Sequence, residues 1–293
     1  MSITRIVQMA RKYTDYDMIA LHTELPEFPD GRVRLLYVML THQPDPPLAA
    51  ERDVLVLCTS LVQMGLDTHD LVDHDGADKP GDAGAILARQ LRVLAGDYFS
   101  SRFYHLMAQA GQIGMVRRLG ETICELNRLK MILYTKMKQL GLSAEEYVQL
   151  GSEIRAGLFV TFSSLMDGWA GRIWPEMVRL FSRCELLLQE LRRLRRAERL
   201  GGGWGFWHVL QTGSEEDRRR LNLQAEDGVI RQCLDKYAAA DTLAGLLRQS
   251  AELLFGLLER LPSDKLAGEL RPLFEPFLAE AGVSQASLAR ELG

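Results

Sequence analysis

The stretch from Glu51 to Asp73 does most to limit what this chain can fold into. Its apolar residues Val54, Leu55, Val56, Leu57, Cys58, Leu61, Val62, Met64 and Leu66 fall on nearly every face of a helix drawn through it. A helix apolar all round has to lie at the centre of a bundle or inside a bilayer. The bilayer is excluded by length, because this run and every other apolar run is broken by Arg, Asp, Glu or Gln well short of the roughly 20 residues a span needs. Strands do not supply the surrounding layer either: no window alternates apolar and polar residues over five or more positions with the Val, Ile, Thr and aromatic enrichment of a strand. The expected fold class is therefore all-α, a bundle of long packed helices. The stretch 85–108 is similarly apolar and is expected beside the first at the centre.

Proline and glycine divide the rest. Pro26, Pro29-Asp30-Gly31, Pro44 to Pro47, Asp75-Gly76 through Gly84, Gly141, Gly151, Gly171, Gly201 to Gly203, Gly213 and Pro262 mark the breaks. Between them the pattern predicts helices near 3–22, 31–41, 48–73, 84–110, 112–140, 143–150, 152–170, 175–200, 204–211, 214–240, 241–261 and 263–281. Ser143-Ala144-Glu145-Glu146 fits a capping box. Pro175 suits a first helical position, and Ser214 with Glu215, Glu216 and Asp217 sets acids against a helix N-terminus. No long polar linker separates these segments and no repeat recurs, so 1–293 reads as one domain.

Charge and cysteine usage narrow the partners. The 35 basic and 39 acidic residues leave a formal charge of −4, with no basic field to hold a phosphate backbone, so nucleic acid is not an expected partner. Cys58, Cys124, Cys184 and Cys233 show no metal-ligand spacing and read as reduced core residues of a cytoplasmic protein. Met1 to Arg11 has no apolar core or cleavage site of the kind a secretory leader carries. The run Arg192, Arg193, Arg195, Arg196, Arg199 reads as a solvated helix end, with an anion site as the alternative. Trp204, Phe206 and Trp207 read as rings turned into the bundle, with a membrane-touching loop as the alternative.

The chemistry-bearing stretch is Gly65-Leu66-Asp67-Thr68-His69-Asp70-Leu71-Val72-Asp73. Asp67, Asp70 and Asp73 are spaced i, i+3, i+6, and His69 stands four before Asp73, so they share neighbouring turns. Acids at a helix C-terminus oppose the dipole. Such a group persists either as a solvated helix end or where a cation offsets it, and a hard divalent cation takes one or two carboxylates plus substrate phosphates. Asp97, in Leu94-Ala95-Gly96-Asp97-Tyr98-Phe99, is expected in a buried helix, where its charge needs an Arg or Tyr hydroxyl as partner. Gly96 beside it reads as a device for close helix approach.

The order of these motifs resembles the trans-polyprenyl diphosphate synthases over nearly the whole chain, and most closely the small subunits known as heptaprenyl diphosphate synthase component 1. In catalytic members a helix reading like ASLIHDDxxD is followed by one carrying GDYLLA. Here Leu61 through Asp73 is followed by Leu94-Ala95-Gly96-Asp97-Tyr98-Phe99-Ser100. The segment Gly203 through Glu216 and the tail around Leu261-Pro262 and Leu270-Arg271-Pro272-Leu273 are similar to later parts of that family. The resemblance implies the isoprenoid-synthase bundle.

Departures from the catalytic pattern are as informative. With the last acid of the first motif set on Asp73, His69 stands where its first Asp should be, and only Asp70 and Asp73 match. The second acid motif falls near Gln189-Glu190-Leu191-Arg192-Arg193. The arginine pair expected after the first motif is replaced by His74 to Gly81, and an N-terminal anion motif survives at most as Gly31-Arg32-Val33-Arg34. Ionising an allylic diphosphate needs cations held by both acid clusters.

The resemblance therefore implies an auxiliary, non-catalytic subunit of a heterodimeric heptaprenyl diphosphate synthase. The complex would elongate farnesyl diphosphate with isopentenyl diphosphate for the menaquinone side chain. A large partner subunit would hold Mg²⁺ and the chemistry, this chain would bind no cofactor itself, and Asp67, His69, Asp70, Asp73 and Asp97 would be its residual substrate contacts; alone, the chain could be a monomer or a self-dimer. Two other readings stay open: a self-sufficient polyprenyl synthase, and an HD-type metal phosphohydrolase built on His69-Asp70 with His22 or His42 upstream.

Overall fold

The computed structural model describes residues 3–15, 21, 24–72, 83–197, 200–221 and 225–282, and no strand occurs among them. The helices are α1 (Ile3–Thr14), α2 (Asp30–His42), α3 (Ala49–Asp70), α4 (Ala83–Gln109), α5 (Ile113–Lys138), α6 (Ala144–Val160), α7 (Gly168–Arg196), α8 (Trp204–Thr212), α9 (Glu215–Arg220), α10 (Asp227–Lys236), α11 (Ala239–Gly256) and α12 (Asp264–Glu280), with 3₁₀ turns at Thr161–Leu165 and Leu258–Arg260. They gather into two compact units, one of residues 1–121 with 166–168 and one of 122–165 with 169–293.

In the first unit α3 is the central helix, packed on α1, α2 and, most extensively, α4. Its residues from Leu55 to Leu66 are buried without interruption, as its unbroken apolar run requires. The stretch expected to match it does not. In α4 the positions Ala95, Phe99, Phe103 and Met107 are buried, whereas Leu87, Val93, Leu94 and Tyr104 are exposed. The buried four follow an i, i+4, i+8, i+12 line on one side of the helix. Leucines on the other side raise the apolar count without being covered.

In the second unit α8 packs against α6, α9, α10 and α11. Trp204, Phe206 and Trp207 are all buried there, the Trp207 indole donates to the Gly202 carbonyl at 3.0 Å and Trp204 stacks on His208. These rings are core, and no described helix is long and apolar enough to cross a membrane. Ser143 forms the expected capping box with Glu146.

Pro175 does not begin a helix. It lies inside α7, where Ala170, Ile173 and Trp174 are buried and the Trp174 indole donates to the Phe159 carbonyl at 2.9 Å. Burial of the preceding turns holds them helical despite the hydrogen bond that proline removes. Gly151 likewise fails to divide the chain, since α6 runs through it. The four cysteines are free; Cys58, Cys184 and Cys233 are buried, but Cys124 is exposed on α5 and is not a core residue.

The junction after α8 carries a pH prediction. Ser214 caps α9, its Oγ accepting from the Asp217 N–H and donating to the Asp217 carboxylate. The same carboxylate accepts from Lys236 at 2.6 Å and from the Tyr237 hydroxyl at 2.7 Å. The Lys236 hydrogen bond first, then those of Tyr237 and Ser214, hold this carboxyl well below the usual carboxylate range. The folded state then binds its proton less readily than the unfolded chain. Stability from this site is complete above about pH 5 and is lost as pH falls through the unfolded value near 3.9 and below. Thermal melts at pH 5 and pH 3 are expected to show a smaller acid-induced drop for Asp217→Asn than for the unaltered chain.

Candidate functional site

Two places carry the residues singled out above: the C-terminal turns of α3 in the first unit, and the middle of α7 in the second.

The helix α3 ends at Asp70, with Leu71 as its cap. Thr68 turns inward, its hydroxyl donating to the Met64 carbonyl at 2.6 Å. That orientation leaves Asp67, His69 and Asp70 around the outer side of the last turns, where Asp67 and His69 are half-buried and Asp70 is exposed. Asp67 accepts a 2.7 Å hydrogen bond from the Gln63 amide, whose carbonyl accepts from the buried Arg32 guanidinium at 3.2 Å. The amide is thus oriented by a cation on one side and an anion on the other. His69 Nε2 stands 3.4 Å from Asp97 Oδ1 across the α3–α4 contact. Arg92 of α4 donates to the Leu71 carbonyl at 3.3 Å, placing a cation at the negative pole of α3. Asp73 lies outside the described residues.

Three expectations change here. Asp97 is not buried, since its side chain is 64% exposed on the outward side of α4, so its charge is tolerated by water. Its partner is His69, not an Arg or a Tyr hydroxyl. The cationic groups at this helix end are protein side chains, Arg92 at the last carbonyl and Arg32 through Gln63. Gly96 does serve close approach: a Cβ there would stand 2.6 Å from His69 Nε2, so the imidazole lies on bare backbone. Gly65 is its counterpart on α3, facing Ser100 and the Gly96 carbonyl.

Among the described residues no three His, Cys, Asp or Glu side chains come together as a metal site would require. Asp67 accepts from the Gln63 amide, and His69 faces Asp97. His42, at the end of α2, joins no such group, and His22 lies outside the described residues.

In α7 the region aligned with a second acid cluster is given over to structure. Glu190 is buried, and its carboxylate accepts from the Trp204 backbone N–H at 2.7 Å, from the Tyr147 hydroxyl at 2.9 Å and from Arg193 at 3.4 Å. Burial first, and then the Glu190 charge, push the Tyr147 phenol above its ordinary range. Arg193 also donates to the Gly201 carbonyl at 2.9 Å, and Arg155 donates to Gln189. Arg192 and Arg195 both bind Glu280, and Arg195 donates to its carbonyl at the end of α12. Arg192, Arg195 and Arg196 are exposed, as in a solvated helix end, and Arg193 is half-buried; Arg192, Arg193 and Arg195 also bind other segments, and Arg199 lies outside the described residues.

Sequence reasoning missed the role of Glu190. The signal was available at the other end of the contact, because α8 begins after Gly203, an N-cap with no side chain to receive an N–H, and some distant acceptor had to supply it. The surviving N-terminal pair is also occupied, with Arg32 buried against Gln63 and Arg34 paired with Asp30 at 2.7 Å.

Comparison with known proteins gives concordant results. Residues 16–199 match the family described as heptaprenyl diphosphate synthase (HEPPP synthase) subunit 1. A curated relative, heptaprenyl diphosphate synthase component 1 of Geobacillus stearothermophilus, is 40% identical over 90 residues, which is 31% of this chain; the match spans only 37% of that relative's length. Among solved structures, the heptaprenyl diphosphate synthase of Staphylococcus aureus aligns with a TM-score of 0.72 at 12% identity, over 94% of this chain and 96% of the other. A geranylgeranyl pyrophosphate synthase from Lactobacillus brevis gives 0.71 at 11% identity, over 94% and 97%. At such identities the likeness shows the fold, which is the all-α one of those synthases.

Proposed function

The chain belongs to the heptaprenyl diphosphate synthase subunit 1 family, and from that premise we propose that it is the auxiliary, non-catalytic subunit of a two-component heptaprenyl diphosphate synthase. The observation that carries this reading is the fate of Glu190: the acid nearest the place of a second cluster is buried and fully engaged in capping α8. Departure of a diphosphate has to be stabilised by cations held at positions where its charge develops. A carboxylate turned inward to Tyr147 and Trp204 cannot hold one there. On this reading Mg²⁺ and the elongation of farnesyl diphosphate by isopentenyl diphosphate belong to a large partner subunit. The product would serve as the side chain of menaquinone, in the cytoplasm, a location in keeping with four free cysteines. The chain acts as one isoprenoid-synthase-like domain.

The residual contacts proposed for substrate in the assembled enzyme are Asp67, His69, Asp70, Asp73 and Asp97, with Asp70 the exposed acid at the end of α3. Substrate contacts that do not hold the developing charge affect binding more than turnover. In the mixed synthase, Asp70→Asn with Asp73→Asn is therefore expected to raise KM for the diphosphate substrates and change kcat by less than tenfold. A fall in kcat of about 10²–10³, the size seen when a group stabilising transition-state charge is removed, with assembly intact, would overturn the non-catalytic assignment.

A further inference from the structure

We draw no further inference here: the strongest candidate, the exposed apolar face of α4 that carries Leu87, Val93, Leu94 and Tyr104, carries nothing because no feature of the structure shows what covers it.

Discussion

Glu190→Ala is expected to cost about 3–5 kcal/mol of folding stability, the range for breaking a buried charged pair by removing one partner. Glu190 is 4% exposed, and its carboxylate receives three donors, two from other segments and one, Arg193, from its own helix. Its loss leaves the Trp204 N–H without this acceptor at the start of α8 and the Tyr147 hydroxyl without it on α6, and takes one acceptor from Arg193. Water cannot enter freely to replace it, since Trp204 is 2% exposed. For a chain of this size the loss corresponds to a fall in Tm of about 6–10 °C, measurable by circular dichroism. Glu190→Gln keeps one acceptor oxygen but presents an amide donor to groups that are themselves donors, so about half the loss is expected. An alanine variant that melts within 2 °C of the unaltered chain (about 1 kcal/mol or less) would show that Glu190 is not a structural cap. The argument that this acid has left the chemistry would then fail.

The second large effect is expected at Gly65. An added Cβ would stand 2.9 Å from Ser100 Oγ, 3.2 Å from the Gly96 carbonyl oxygen and 3.5 Å from Phe99 Cβ. The Ser100 hydroxyl can rotate away, but the Gly96 carbonyl is backbone and moves only with α4. Gly65→Ala is expected to be close to neutral, because a gain of about 1 kcal/mol in helix propensity offsets the crowding. Gly65→Leu places its further carbons where α4 lies, and the overpacking is expected to cost about 3 kcal/mol net. Gly245→Ala is the control: nothing lies within 4 Å of its added carbon, so it should stabilise by about 0.5–1 kcal/mol. Equal effects at Gly65 and Gly245 by denaturant unfolding would mean that α3 and α4 do not approach through these glycines.

These sites show how far the sequence could be read. The helical class followed from one-dimensional pattern, because the apolar run of α3 has no surface solution and no strand alternation competes with it. Local ends were also legible: Ser143 and Ser214 cap their helices with partners three residues away. What escaped depends on contacts between distant residues. The outward turn of Asp97 could not be read from α4, whose apolar residues lie on both its buried and its exposed side. Pro175 reads as a helix start because proline is enriched at first helical positions, and burial of the preceding turn outweighs that preference. The acid nearest the missing cluster was visible as Glu190, but its engagement by Tyr147 and Trp204 required the fold. The spacing sets His69 one turn from Asp73, which lies outside the described residues; its contact with Asp97 across to α4 requires the fold.

The most direct measurement is incorporation of labelled isopentenyl diphosphate into farnesyl diphosphate with Mg²⁺, using this chain alone, its large-subunit partner alone, and the two mixed. Product from the mixture, with neither chain active above background by itself, is the predicted result. Turnover by this chain alone would contradict the account, since it would require a second charge-stabilising site in a chain whose nearest acid, Glu190, is turned into the core.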